Sequence, residues 1–330
     1  MTIKDRIAYI YRIHHGSNLA GKMVAQGFRN AFVDMGYEFK EFDSHNFKQY
    51  FNRSERNKLC EYQPSVIMSS VENIRYLPLN TLLPQKLVLW GQFYSPNNLD
   101  KDTVTISKSD KNELKRQSKR HHILIWSQHS DEINEKYFKG YEKELRLQFT
   151  QLMHCADKTK YVPVILDRLS TPEYDFVWIG KIKHRRKSYE QFIGPLKSFS
   201  KRYIEYTERC PIDPASIKIT QLYASSSLAP NVHSESQRMN HAVLNDRVFV
   251  STFMGGFQIC DNMLAKKYFT EDEMIISDNP KQYLEYCRYY LNNPHLRIEM
   301  IKKAQDKILH EHTYHNRIEK LRSILSVERM

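Results

Sequence analysis

The chain reads as an α/β protein with two parallel-sheet domains in tandem. Three observations predict this. Short continuous apolar runs, RIAYIYRI (6–13), SVIMSS (65–70), KLVLWG (86–91) and HHILIWS (121–127), alternate with polar or helical stretches. Runs of this kind are expected of parallel strands buried on both faces. A second series opens at DFVWIG (175–180), after a stretch over 158–175 that carries two prolines and several turn residues. The length, 330 residues, exceeds what one compact core usually holds.

In chain order, the strand 6–13 leads into HHGSN (14–18), where Ser17 or Asn18 is placed to cap a helix. Ala20, Val24, Phe28, Ala31 and Met35 then recur at helical spacing, and Gly36 closes the helix. Tyr37, Phe39 and Phe42 start the next strand, completing a βαβ opening. Residues 141–157 read as helix and 158–175 as the connection, giving domains over 1–165 and 166–330. After DFVWIG come a basic helix over 184–200, a strand at KRYIEYT (201–207) and the stretch QLYASSSLAPN (221–231). The C-terminus is helical: Leu284, Cys287 and Leu291 form one stripe, and Ile298, Ile301, Gln305 and Ile308 another. Two such halves place a ligand in the crevice at the strand C-termini, between them.

Composition narrows the partners. Apolar residues make up 41% of the chain, enough for two cores, so a disordered chain is excluded. The formal charge of +12 favours anionic partners: nucleic acid, anionic lipid head groups or phosphorylated small molecules. A long basic run, KSDKNELKRQSKRHH (108–122), is expected as an exposed loop or polar helix face able to touch an anionic acceptor or a membrane surface. The five cysteines are scattered and never in a CxxC pair, as expected of reduced thiols without a zinc site. No apolar run is long enough to span a bilayer, and the N-terminus lacks the features of a signal peptide. A cytoplasmic location follows as the expectation, with peripheral membrane contact left open.

The stretch NDRVFVSTFMGGFQICDN (245–262) holds an adjacent glycine pair in a chain with only ten glycines. Asn245 is the expected N-cap of a helix, with Asp246 at the positive end of its dipole. Gly255 is expected in the left-handed conformation that closes the helix, and Gly256 to turn the backbone into the strand FQIC (257–260). The helix start would then offer unpaired amides, and Arg247 a guanidinium, as a seat for diphosphate. A second anion candidate is KIKHRRKS (181–188), which follows Gly180 at the end of its strand. No GxxxxGK[ST] or GxGxxG occurs, which argues against a phosphate-loop NTPase and a nicotinamide enzyme.

Taken together, DFVWIG–KIKHRRKS, LYASSSLAPNVHSESQRMN, NDRVFVSTFMGGFQICDN and HEHTYHNRIEKL resemble the C-terminal half of GT-B glycosyltransferases, specifically the CgeB-like (spore-maturation-protein-like) group. GKMVAQGFRNAFVDMGYEF, PSVIMSS and LVLWGQFYSPN resemble the N-terminal half of that group. The most specific part is 223–262, with HTYHNR (312–317) as a second marker. The resemblance implies a GT-B fold, two Rossmann-like domains with parallel sheets facing across a cleft, the first on the acceptor side and the second holding a nucleotide-sugar donor. It places Gly180, Lys183, Arg185 and Arg186 near the donor phosphates. Asn231, His233, Arg238, Asn245 and Arg247 fall at donor-facing positions, and Gly255 and Gly256 at the Gly-Gly turn. Where relatives carry a Glu that holds the donor ribose in many GT-B enzymes, this chain has Val250. Glu235 lies nearby in sequence.

Glycosyl transfer needs the leaving diphosphate stabilised, which cations and amides do without a metal. No cofactor is expected beyond the nucleotide-diphospho-sugar co-substrate. An inverting enzyme also needs a base for the acceptor hydroxyl. His14 and His15, after the first strand, are the candidates, with Asp43 a weaker one. His233 and His241 are candidates for phosphate or sugar contacts. Trp90 and Tyr94 are candidates to stack on an acceptor. His312 and His315 lack the Cys or carboxylate partners of a metal site. The leading expectation is a hexosyl- or pentosyltransferase acting on a glycan, lipid-linked, protein or nucleic-acid acceptor. One alternative acts on modified bases in DNA, and another is a non-catalytic scaffold that binds nucleotide or glycan.

Overall fold

The computed structural model describes residues 5–11, 19–48, 53–83, 85–91, 106–129, 131–163, 172–208, 210–213, 216–239 and 243–326. His14, His15, Tyr94 and His241 lie outside the described residues. The chain divides into two compact units: Met1–Asn18, Phe28–Met153 and Ile318–Met330 form one, Leu19–Gly27 and His154–Arg317 the other.

The N-terminal elements are β1 (Arg6–Tyr11), α1 (Leu19–Asp34), β2 (Glu38–Asp43), α2 (Ser44–Lys48), α3 (Arg53–Tyr62), β3 (Val66–Ser70), β4 (Lys86–Trp90), α4 (Lys108–Gln117), β5 (His122–Ser127), α5 (Asp131–Leu145) and β6 (Gln148–Gln151), all in the first unit except the start of α1 up to Gly27. The six strands are all parallel, in the order β2-β1-β3-β4-β5-β6. Leu87, Val88 and Leu89 of β4 and Ile123, Leu124 and Ile125 of β5 are buried in unbroken runs, so both faces of the sheet are covered. The strand order reverses direction between β1 and β3, the topology that sets ligands at the strand C-termini in doubly wound sheets.

One expectation changes here and another is sharpened. Residues 141–157 are not one helix, because α5 ends at Leu145 and β6 follows. Arg146 closes α5 with φ +55, so the left-handed stop carries no glycine to announce it. The basic run 108–122 is an amphipathic helix followed by a strand, with Leu114 and Gln117 buried. Its charges are partly neutralised at home. Arg75 pairs with Asp110 at 2.9 Å, Lys111 with Glu144 at 2.8 Å and Arg116 with Glu113 at 2.6 Å.

The second unit and the C-terminal helices run β7 (Tyr174–Ile179), β8 (Tyr203–Tyr206), α6 (Ile217–Ala224), β9 (Ser226–Leu228), α7 (Glu235–Met239), α8 (Arg247–Phe253), β10 (Ile259–Cys260), β11 (Ile275–Ile276), α9 (Pro280–Leu291), α10 (Pro294–Glu311) and α11 (Tyr314–Ser326). β8-β7-β9 form one parallel set and β10-β11 another. The bonds Ala229 N–H to Phe257 O (2.7 Å) and Asn231 N–H to Ile259 O (2.9 Å) join the two sets side by side. Phe176, Trp178, Phe192, Ile259, Tyr283 and Ile301 form the core.

The helix expected over 184–200 is instead a series of short 3₁₀, α and π turns. Pro195 contributes to the break, because it lacks the N–H that would continue the helical hydrogen bonds. At the C-terminus, Ile298, Ile301, Gln305 and Ile308 are buried together on α10, as their spacing predicted.

Candidate functional site

The site is built where β7 and β9 end. Ile179 is the last residue of β7, and the Gly180 N–H donates to Tyr206 O at 2.9 Å. A Cβ on Gly180 would lie 2.9 Å from the Trp178 ring and 3.2 Å from Nη1 of Arg247. Glycine is therefore what lets the Arg247 side chain lie across the strand end. Arg247 donates from Nη1 to Ile179 O at 3.0 Å and from Nη2 to Val232 O at 2.8 Å. Arg185, on the turn after β7, donates from Nη1 to the same Val232 carbonyl at 3.2 Å.

Two guanidinium groups thus converge on one carbonyl, and among the described residues neither forms an ion pair with a carboxylate. Burial, then the neighbouring Arg247 charge, pull the Arg185 pKa down to about 9. The Arg185 Nε is buried without a hydrogen-bond partner among the described residues. A like-charged, partly desolvated pair of this kind favours an incoming anion.

Of the amide seat expected at residues 245–247, the Arg247 N–H is taken up by the helix's own cap. The helix α8 is only seven residues long and caps itself. The Arg247 N–H donates to the Asp246 carboxylate at 3.1 Å, that of Val248 to Asn245 O at 3.3 Å and that of Phe249 to Asp246 O at 3.1 Å. The cap is Asp246 rather than Asn245. Asn245 instead exchanges side-chain hydrogen bonds with Asn231 at 2.9 and 3.0 Å, and Asn231 also donates to Gln258 at 3.1 Å. Both asparagines are buried, and they tie the loop after β9 to the start of α8. The candidate groups to meet an anion here are therefore the arginine side chains.

Beside this pair, His233 and Asp261 form a fully buried dyad. His233 Nδ1 lies 2.6 Å from Asp261 Oδ1, and the His233 backbone N–H donates to both carboxylate oxygens at 3.0 and 3.1 Å. Arg238 approaches the second oxygen at 3.5 Å, with its guanidinium 4.7 Å from the Phe192 ring centroid. Asp261 directly follows β10, and its role as the partner of His233 was missed in the sequence. The available signal was an acid placed immediately past an apolar strand.

The glycine pair behaves as expected. Gly255 has φ +90, and a Cβ on Gly256 would fall 2.8 Å from the Ala229 Cβ. Both serve the reversal between α8 and β10. Lys183 and Arg186 are exposed and are not drawn to the Arg185–Arg247 pair; of KIKHRRKS, Arg185 is the one turned to Val232 O. Val250 packs in an apolar cluster with Val177, Ile179 and Tyr223, and Glu235 lies 3.5 Å from Lys187.

In the first unit, Trp90 ends β4, is about a third exposed and lies 6.1 Å from the Trp126 ring. Asp43 ends β2, is buried and accepts from the His45 N–H at 2.9 Å. His129, two residues past β5, is a further buried histidine that the sequence reading passed over; burial brings its pKa to about 4 and keeps it neutral. His233, Cys260 and Asp261 approach one another closely enough to consider a metal. Burial keeps the Cys260 thiol protonated, and the Asp261 oxygens already accept from His233, so the cluster does not fit one. The sequence's Asp-x-Asp triplet, Asp100-Lys101-Asp102, lies outside the described residues. No helix among the described residues is long and apolar enough to cross a membrane.

Residues 164–323 match the model of a family described as glycosyl transferase-like. Among solved structures, the chain is similar to an α-glucosyltransferase in complex with UDP, at 12% identity and TM-score 0.59, covering 97% of this chain and 99% of that one. The same kind of enzyme with UDP and a 13-mer DNA containing a HMU base gives 12% identity and TM-score 0.64, covering 98% and 100%. The N-terminal domain of Candida albicans trehalose-6-phosphate phosphatase gives 10% identity and TM-score 0.58, covering 98% and 97%. No curated protein matches. At these identities the likeness establishes the fold, which is GT-B.

Proposed function

We propose that the protein is a metal-independent glycosyltransferase, with Arg185 and Arg247 holding the diphosphate of a nucleotide-sugar donor. The observation that carries this is the pair of guanidinium groups on the Val232 carbonyl without a carboxylate between them. Sugar transfer breaks the bond between the anomeric carbon and the diphosphate oxygen, and negative charge grows on that oxygen. Fixed cations at the strand ends stabilise it more in the transition state than in the bound donor. The match of residues 164–323 to a glycosyl transferase-like model supports the same reading, and the sequence resemblance supports membership of the CgeB-like group.

For the acceptor, a base in DNA is the favoured reading. The structurally similar α-glucosyltransferases are seen with DNA, and this chain carries a net charge of +12. The first unit would then present the acceptor, with Trp90 as a stacking surface and a base drawn from His14, His15 or His129.

Incubation with UDP-, GDP- and ADP-sugars, with and without duplex DNA bearing HMU, tests both parts. Release of nucleoside diphosphate is expected with one donor, together with a hexose- or pentose-sized mass gain on the DNA. Nucleotide binding without release or transfer, across the panel and with glycan acceptors added, would replace the enzyme by the scaffold reading. Duplex affinity should also fall steeply with salt; no binding at low salt would remove DNA as the acceptor.

A further inference from the structure

We infer that His233 is a proton-coupled ligand of the donor diphosphate: the ring takes up a proton as the anion arrives and donates Nε2–H to a phosphate oxygen. This rests on the diphosphate reading above and adds a residue and a proton to it.

The geometry begins with Asp261. Its carboxylate accepts from the His233 backbone N–H and faces Nδ1 at 2.6 Å, so Nδ1 carries the hydrogen. The neutral ring is then left with a bare lone pair on Nε2. That atom is buried and has no hydrogen-bond partner among the described residues, and the side chain is fully covered. Buried polar atoms without partners are rare and call for a reason. The adjacent residue supplies one, because the Val232 carbonyl is where Arg185 and Arg247 converge.

Among the described residues, the charged groups near the ring are Asp261 at the end of β10, Arg247 at the start of α8 with Asp246 as its cap, Arg185 on the turn after β7 and Arg238 of α7, which reaches Asp261. Cys260 and Tyr283 are kept protonated by burial. Burial is the largest influence on His233 and lowers its pKa, and the two guanidinium charges lower it further; Asp261 opposes them. A bound diphosphate offsets the guanidinium charges and supplies an acceptor for Nε2–H. The unfavourable influences weaken, and Asp261 and the phosphate then favour the charged ring from either side. The proton comes from solvent, and the new bond is N–H at Nε2. During transfer the same N–H faces the charge that grows on the departing diphosphate.

The test titrates wild type and His233→Gln with the tightest binder among UDP, GDP and ADP, by calorimetry in buffers of different protonation enthalpy. Wild type should take up as much as one proton more per nucleotide than His233→Gln. The wild-type advantage in affinity should grow as pH falls toward the free-ring pKa, by at most about tenfold per pH unit. The nucleotide's own phosphate titration is common to both proteins and cancels. In parallel, the ¹⁵N signal of Nε2 in wild type should change from the lone-pair form to the proton-bearing form on saturation, a readout that survives if the variant fails to fold. Equal proton uptake in the two proteins, or an unprotonated Nε2 in the complex, overturns the inference. Arg247→Ala separates the two readings. If it leaves nucleotide affinity unchanged, the diphosphate seat itself is misplaced. If it weakens binding while proton uptake is the same with and without His233, the seat stands and the role given to His233 falls.

Discussion

Basic side chains meet opposite surroundings around α4 of the first unit and at the strand ends of the second. Arg75, Lys111 and Arg116 each face a carboxylate, whereas Arg185 and Arg247 face backbone carbonyls. An ion pair cancels charge locally, and an exposed one contributes little to stability. A carbonyl orients a guanidinium but leaves its full charge to act on whatever approaches. The lesson is that net charge alone does not mark a candidate anion site. The run 108–122 has six Lys and Arg, of which Lys111 and Arg116 meet carboxylates, and of the five in 181–188 Arg185 turns to the Val232 carbonyl.

The contrast can be broken most sharply at the carboxylates. Asp261→Ala should destabilise the protein by about 3–5 kcal/mol in urea denaturation, because it strips a buried partner from His233 and Arg238. Glu144→Ala, which frees Lys111 at the surface, should cost less than about 1 kcal/mol. Similar losses from the two changes would erase the distinction.

Acid should act on both units through neutral buried histidines. The pKa values of His129 and His312 are lowered from 6.5 to about 4, chiefly by burial. Between those values the unfolded chain binds more protons than the folded one, so stability falls as pH falls. The expected loss is about 2 kcal/mol per group between pH 6.5 and about pH 5. Melting temperatures across that range check it, and a flat profile in a protein that stays folded would contradict the assigned burial.

On binding, Arg247→Ala should weaken the nucleoside diphosphate by roughly 10–100-fold, the loss of one or two charge-assisted hydrogen bonds. Lys115→Ala, on the exposed face of α4, should stay within about twofold. Calorimetric titration of both variants decides whether the unpaired arginines or the dense basic run holds the anion. In the scaffold, Gly255→Ala should cost about 1–2 kcal/mol in thermal unfolding, since φ +90 is strained for any residue with a Cβ. An unchanged melting temperature would mean that the turn relaxes.

The parallel strands, the closing turn at Gly36 and the reversal at Gly255 were legible because each is a local matter. Apolar runs report burial on both faces, and a glycine at a helix end reports a left-handed residue. β6 was hidden because Arg146 makes the same turn without a glycine, and the break within 184–200 because basic spacing masked the effect of Pro195. The sequence also marked 180–186 and 231–261 as the candidate region, by a strand-terminal glycine, basic residues and the Gly-Gly turn. Its inner arrangement was not. Tertiary structure decided that Arg185 rather than Lys183 or Arg186 turns inward, that Asn231 and Asn245 bind each other, that Asp246 closes the helix start, and that Asp261 meets His233. The reason is physical: residue type and spacing fix the conformation of a segment, but partners distant in sequence, such as Asp261 for His233 or Val232 O for both arginines, exist only once the strands are side by side.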